Sequence, residues 1–467
     1  MIYDLIIVGA GLTGLCAART LLKTGHENIS FKILEARDRV GGRTQNQHFQ
    51  LGSHSTVVDI GGQWIGPSQN NVLNLIQELE GLELVEQTWV TKKSGAGEPG
   101  LYEVLRRKPL TLEENQEVIE INRRLEQMAL LLTVEEPFKC EQANKWDLIS
   151  IGEYFRQNVK YENARQELEL EVVSLTACSA DKLSLLYWLI FLRSIPGGYT
   201  SLDDGVNGAQ HYKLTTGAQN ISVLLAQQLA RKYGQDCIEY EQPVQTVNYE
   251  EDTVIRVITA NREYSCRRLL LAFAHTLLLQ IQFSPKLPKI YQELSSSMIM
   301  GQCIKTIFIY NQAFWRINNV TNEELSSEQA LEGPCYNLFE APLHNDTHHA
   351  LIGLIVGDLA SKWSKRPEED LIQAITTQYQ RLYSCPDAIP IKTCIQYWPN
   401  EIYSGGCYAG TFPPKVLTKY HHLLRKPIID ERIWCASTET ALQWIGYMEG
   451  AIQAGEAIYK QISQTIR

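Results

Sequence analysis

Seven residues at the N-terminus, Ile2 to Val8 (IYDLIIV), form an apolar run broken only by Tyr3 and Asp4, and it ends directly on GAGLTG, residues 9–14. Such a run is the pattern of a strand buried on both faces, as parallel sheets require. The glycines that follow divide the work by position. Gly9 permits the tight turn, Gly11 lets backbone approach a pyrophosphate, and Gly14 lets the next helix pack on the strand. The pattern predicts a helix over 12–23, with its free amides and positive dipole end aimed at the phosphates. A second strand, FKIL, ends at Glu35, which stands 21 residues past Gly14. That is close to the interval of an acid accepting hydrogen bonds from adenosine ribose hydroxyls. Strand, glycines, helix, strand and acid in this order predict a Rossmann-type unit that binds a dinucleotide.

Composition narrows the partner. A chain of 467 residues exceeds the usual limit of one core, so two or more domains are expected. A formal charge of -10 without a long lysine or arginine run argues against nucleic acid and against a polybasic membrane anchor, leaving a small molecule. Eleven cysteines without a C-x-x-C pair fit a reducing compartment and no zinc or other metal site. Asp4 interrupts the N-terminal apolar run, so no signal peptide is read there. The apolar stretch Leu183 to Leu192 is about half of the ~20 residues that span a membrane, and predicts a buried helix. A soluble, cytoplasmic protein is expected.

Helical spacing begins at Leu112 to Leu132 and continues to about Leu192, whereas strand-like segments return at Cys237 to Ala260 and at Leu269. The segment Met300 to Trp315 also reads as a strand, with Lys305 in it. Alternation of period two leaves open whether that lysine faces the core or, from an edge strand, solvent.

The run LEARDRVGGRT, residues 34–44, resembles the flavin-binding signature of the amine oxidase family, with Arg37, Gly41, Gly42 and Arg43 in register. VDIGGQWIGPSQNNVLNLIQELEG, residues 58–81, is similar to the segment of that family which passes the flavin, through Gly61, Gly62 and Gly66. From Trp398 onward the chain resembles the terminal block of the monoamine oxidases almost position for position, and the likeness extends more thinly over the whole chain.

The resemblance implies an α/β, two-domain flavoprotein, in which a Rossmann-type FAD-binding domain (1–80, 215–293, 396–467) is interleaved with an α+β substrate domain (81–214, 294–395). It also implies site residues. Cys407, in SGGCY, would join the flavin through its sulfur, although a free cysteine is more commonly a small buried apolar residue. Tyr408 and Tyr447 would flank the substrate amine, Lys305 would hold a water near the flavin, and Gln210 would shape the substrate pocket. Val244, Trp398, Glu439 and Met448 stand at cofactor-contacting positions. Asp203 departs from this pattern: it is an acid in the loop that borders the cavity entrance in the family, where apolar residues are common, and it suits either a second ammonium on a diamine or polyamine or a solvated turn.

The implied reaction is FAD-dependent oxidation of an amine to an imine, hydrolysed to an aldehyde, with dioxygen reduced to hydrogen peroxide. Three alternatives stay beside it. A diamine or polyamine oxidase would hold its flavin without a covalent bond. An L-amino-acid oxidase would need a pocket arginine, which the sequence does not place. A non-catalytic flavoprotein would not need the tyrosine pair. A homodimer is the default expectation for the family. Two further departures stand out: Ser437 replaces a family glycine near the ribityl chain, which predicts a weaker flavin hold, and no hydrophobic tail follows the last helix.

Overall fold

The computed structural model describes residues 1–23, 29–87, 110–202, 207–317, 333–341 and 348–466, and backbone alone over 102–104. Two principal sheets organise them. The larger has eight strands, in the order Gln282–Ser284, Val244–Asn248, Ile255–Thr259, Glu263–Leu271, Ile2–Val8, Phe31–Leu34, Ile238–Glu239, with Ile433–Cys435 also beside Glu263–Leu271. Ile2–Val8 lies parallel to both neighbours, Val8 pairing with Leu34 on one side and Leu271 on the other.

The expected two-sided burial of that strand is observed: Leu5, Ile6 and Ile7 are wholly buried. Leu5 and Ile7 belong to one core and Ile6 and Val8 to another, the period-two division of a central strand. At roughly 1.5–3 kcal/mol for each fully buried aliphatic side chain, these residues tie the first strand to both layers. Helix Leu12–Lys23 has the predicted bounds. It packs against the last helix, Met448–Ser463, so closely that a Cβ on Gly455 would lie 2.3 Å from the Thr13 carbonyl oxygen. The first and last helices of the chain thus pack on each other beside the larger sheet.

The second sheet is antiparallel, in the order Lys392–Tyr397, Cys303–Tyr310, His349–Val356, Asn337–Ala341, Tyr102–Val104. Cys303–Tyr310 is therefore an interior strand, and every one of its residues is buried. The question left by the sequence is answered here: Lys305 pairs in register with Leu354 and Gln396 and faces the interior, 3% exposed.

Helices cover this layer. Leu112–Ala129 starts at a capping box between Thr111 and Glu114 and stops three residues before the expected Leu132, with Leu130 and Leu131 exposed beyond its end. The apolar stretch at 183–192 forms helix Leu185–Ser194, buried at every position except Arg193. Among the described residues, no helix is long and apolar enough to cross a membrane.

Candidate active site

A cavity of about 1190 Å³ runs between the two sheets, and residues from the glycine loops, the helical segment and the C-terminal block line it together. Where the glycine loops line it, the glycines act through contact geometry. Gly9 has φ +108°, and a Cβ there would stand 2.9 Å from the Ala272 carbonyl oxygen. A Cβ on Gly14 would stand 2.1 Å from the Gly9 oxygen, so Gly14 packs behind the wall rather than forming it. Gly41 donates to the Ala10 oxygen at 2.9 Å and a Cβ on Gly42 would lie 3.4 Å from Gly11 Cα, which brings the two glycine runs side by side.

Glu35 is buried and lines the same cavity. Its Oε2 accepts from the Ala10 amide at 2.7 Å and its Oε1 from the Arg37 amide at 2.9 Å. Val244 lines the cavity beside it. Arg37 also lines the wall and donates to Glu401 at 2.8 Å and Ser404 Oγ at 2.9 Å, with its guanidinium 5.5 Å from the centre of the Tyr403 ring.

Arg43, also on the cavity wall, is held by a fork of bonds to Glu439, Nη1 to Oε1 at 2.7 Å and Nη2 to Oε2 at 3.1 Å, and by the Tyr408 carbonyl oxygen at 2.8 Å. Glu439 does not line the cavity; it also accepts from the Gly410 amide at 2.9 Å and so ties Arg43 to the C-terminal block. Burial pushes its carboxyl up, but the charge and hydrogen bonds of Arg43 outweigh burial and hold it at about 2. Gly61 and Gly62 wrap the backbone of Arg43: a Cβ on Gly61 would lie 2.3 Å from the Arg43 oxygen, which accepts from the Gly62 amide at 3.1 Å.

Lys305, also on the wall, donates to Gln63 Oε1 at 2.8 Å and to the Gly61 oxygen at 3.1 Å, and its Nζ stands 5.1 Å from the centre of the Trp64 ring. Burial lowers its ammonium to about 8, with Asp59 acting in the opposite sense. Cys407 follows Gly405 and Gly406 (φ +71° and +143°), and its amide donates to the Gly301 oxygen at 2.9 Å. Burial raises its thiol to about 12, against the charges of Arg43 and Lys305. Trp398 donates to the Ile60 oxygen at 3.1 Å and lines the wall, as does Met448.

Tyr408 and Tyr447 both line the cavity. Tyr447 is stacked on Phe191, with centroids 6.5 Å apart, and meets Trp444 edge-on at 4.9 Å. Gln210 lines the cavity, and its Oε1 is buried with no hydrogen-bond partner in the protein. Asp203 lies outside the described residues.

The sequence reading passed over Gln63, Trp64 and Phe191. The first two follow Gly62 directly and could have been suspected from that adjacency. Phe191 is one apolar residue in an apolar helix and gives no signal. Among the described residues no group of histidine, cysteine, aspartate and glutamate is placed to hold a metal ion.

The residues fit a dinucleotide. Glycine walls that a Cβ would fill, a buried acid at the end of the second strand and a long cavity continuous with Cys407 match the shape and chemistry of FAD.

Comparison with known proteins agrees. Residues 12–458 match the family model of flavin containing amine oxidoreductases. A flavin-containing amine oxidase of Oncorhynchus mykiss is 30% identical, over 98% of this chain and 85% of its own length. Flavin-containing amine oxidase B of Homo sapiens is also 30% identical, over 98% of this chain and 86% of its own length. Among solved structures, a putrescine oxidase with redesigned cofactor binding superposes with a TM-score of 0.85 at 23% identity, covering 99% of both chains. Cyclohexylamine oxidase from Brevibacterium oxydans IH-35A gives 0.84 at 24%, covering 100% of this chain and 99% of that one. The chain belongs to the flavin-containing amine oxidoreductase family. It is an oxidoreductase that uses FAD to oxidise small-molecule amines with oxygen.

Proposed function

We propose that the enzyme is a monoamine-oxidase-like deaminase whose flavin is bonded to Cys407 Sγ and whose substrate amine is oriented between Tyr408 and Tyr447. One observation carries this reading: Lys305, Cys407, Tyr408 and Tyr447, from separate segments of the chain, meet on one cavity that is continuous with the glycine loops.

In this reading Gly9, Gly11, Gly41 and Gly42 let backbone close on the pyrophosphate, with Gly14 packing behind. Glu35 receives the adenosine ribose, Val244 and Arg37 border it, and Arg43, braced by Glu439, faces the phosphates. Gly61, Gly62, Trp398 and Met448 complete the flavin end. FAD, when bound, takes two electrons from the amine and passes them to dioxygen. The protein's share is positioning. Aromatic and apolar walls around Tyr408, Tyr447, Phe191 and Phe339 favour the neutral amine over its ammonium form, Gln210 supplies a free acceptor, and Lys305 holds a water at the wall.

The covalent bond is tested by intact mass. Yellow protein denatured in acid should retain its colour and show the cofactor's mass on the peptide containing Cys407, whereas Cys407→Ala should release free FAD. A wild-type mass equal to the bare chain would sink that assignment.

A second reading concerns the substrate. Glu167 and Glu171, on helix Glu162–Thr176, also line the cavity, and Asn122 Nδ2 donates to Glu171 at 3.1 Å. Carboxylates on that wall suit a second ammonium, as on a diamine. Glu171→Gln should then lower kcat/KM for diamines and leave aromatic monoamines unchanged. Equal effects on both would remove this reading.

A further inference from the structure

Two ionisable side chains, Asp59 and Lys213, sit in the interior together with Lys305, the lysine of the site. Asp59 ends strand His54–Asp59, Lys213 is the middle residue of strand Tyr212–Leu214, and Lys305 lies in the interior strand Cys303–Tyr310. They are 5%, 5% and 3% exposed. Lys305 has its two acceptors, Gln63 and Gly61, and both belong to the short stretch that follows Asp59. Asp59 accepts from the Ala218 amide at 2.8 Å. Lys213 is different: its Nζ is buried with no hydrogen-bond partner. An unpartnered ammonium in the interior is costly to keep charged and has no structural bond to justify it.

We propose that Asp59 and Lys213 are positioning residues that set the charge of Lys305, Asp59 holding its ammonium in the charged form and Lys213 competing for the same carboxylate. This rests on Lys305 being the working ammonium of the proposed site. Both lysines act through space on Asp59, whose carboxyl burial raises to about 7 while the two ammoniums pull it back. Lys213 is lowered by burial to about 8, level with Lys305 at about 8. Because both lysines share one buried carboxylate, a change at any of the three shifts the charge of the others.

The other groups in reach do not take this role. Lys305 also faces the thiols of Cys303 and Cys407, and burial keeps both in the neutral form. Lys213 also faces Glu340, which is engaged by Arg316. Asp59 is thus the uncommitted carboxylate that both lysines share. The consequence has a sign. Removing the carboxylate disfavours charged Lys305, and removing Lys213 favours it.

The experiment uses the flavin-loaded enzyme from about pH 6 to pH 10. The rate at which dioxygen reoxidises the reduced protein should show a limb near pH 8 that Lys305→Met abolishes. Asp59→Asn (D59N) should move that limb down, and Lys213→Met (K213M) should move it up, each by on the order of 1 pH unit. The double variant should keep the D59N position, because without the carboxylate Lys213 has nothing to compete for.

A second readout needs no turnover. K213M should melt above wild type below about pH 8, and the gap should close toward pH 10.5, since a buried lysine costs stability only while it is charged. If D59N does not fold, K213M alone still decides the matter, through the limb and through the melting gap. A limb lost in Lys305→Met but unmoved by K213M, or moved in the same direction by both substitutions, overturns this inference alone. A limb that survives Lys305→Met overturns the reading of Lys305 and this inference with it.

Discussion

Replacing Glu439 by glutamine tests whether the Arg43 clamp stabilises the fold as well as the site. The perturbation keeps size and one carbonyl oxygen but removes the charge that Arg43 faces. In the folded protein the carboxyl is lowered from 4.5 to about 2, since Arg43 outweighs burial. A depression of about 2.5 units corresponds to roughly 3 kcal/mol of stability. The sign follows from the depressed value: this contribution is fully present above pH 4.5, and it is lost as pH falls toward 2. Over 467 residues the entropy of unfolding is on the order of 1 kcal/mol/K, so the expected drop in Tm is about 3 °C. Scanning calorimetry of the flavin-loaded protein should show that gap between wild type and Glu439→Gln at pH 7, and the gap should shrink progressively once pH falls below 4.5. A gap that stays constant from pH 7 to pH 3.5 would show that shape, not charge, is what Glu439 supplies. No gap at all would refute the clamp.

Other substitutions probe the remaining contacts. Gly9→Ala places a Cβ 2.9 Å from a backbone oxygen at φ +108°, and purified protein should carry markedly less flavin, read as the ratio of flavin to protein absorbance. Trp398→Phe removes the donor to the buried Ile60 oxygen and should cost about 1–3 kcal/mol in denaturant unfolding, with a change in the flavin spectrum. Phe191→Ala takes away the ring stacked on Tyr447, worth about 0.5–1.5 kcal/mol, so kcat/KM for an aromatic amine should fall roughly 2- to 10-fold.

The parts of this site that the sequence discloses are those in which chemistry and local geometry coincide. Gly9, Gly11 and Gly14 are legible because each must lack a side chain at a fixed offset from one strand, and Glu35 because the same unit fixes where the second strand ends. Cys407 and Tyr408 are legible through resemblance, as neighbours in one short block. Burial at Lys305 was not legible. Its strand alternates too weakly to say which face is covered, because an interior strand of the second sheet is buried at all eight positions from Cys303 to Tyr310. Only the pairing of that strand on both edges removes the solvent-facing option.

Buried charge is where local pattern fails most completely, and the two clusters show why. Arg43 and Glu439 are 396 residues apart, and Lys305 and Gln63 are 242 apart. No periodicity links such pairs, since each member satisfies only its own strand or turn and the partner comes from another layer. Arg43 is legible as part of a flavin signature but without its carboxylate partner, and Asp59 gives no signal of its own. The fold gives them their roles by removing water: the same desolvation that lets Arg43 hold Glu439 ionised also drives Asp59 up and Lys213 and Lys305 down. The outcome differs because the first pair is joined by two direct hydrogen bonds, whereas the second cluster has one carboxylate for two ammoniums. A matched pair fixes its charge over the whole working pH range and serves as a brace. An unmatched trio leaves a proton in play, and of its three members Lys305 lines the cavity.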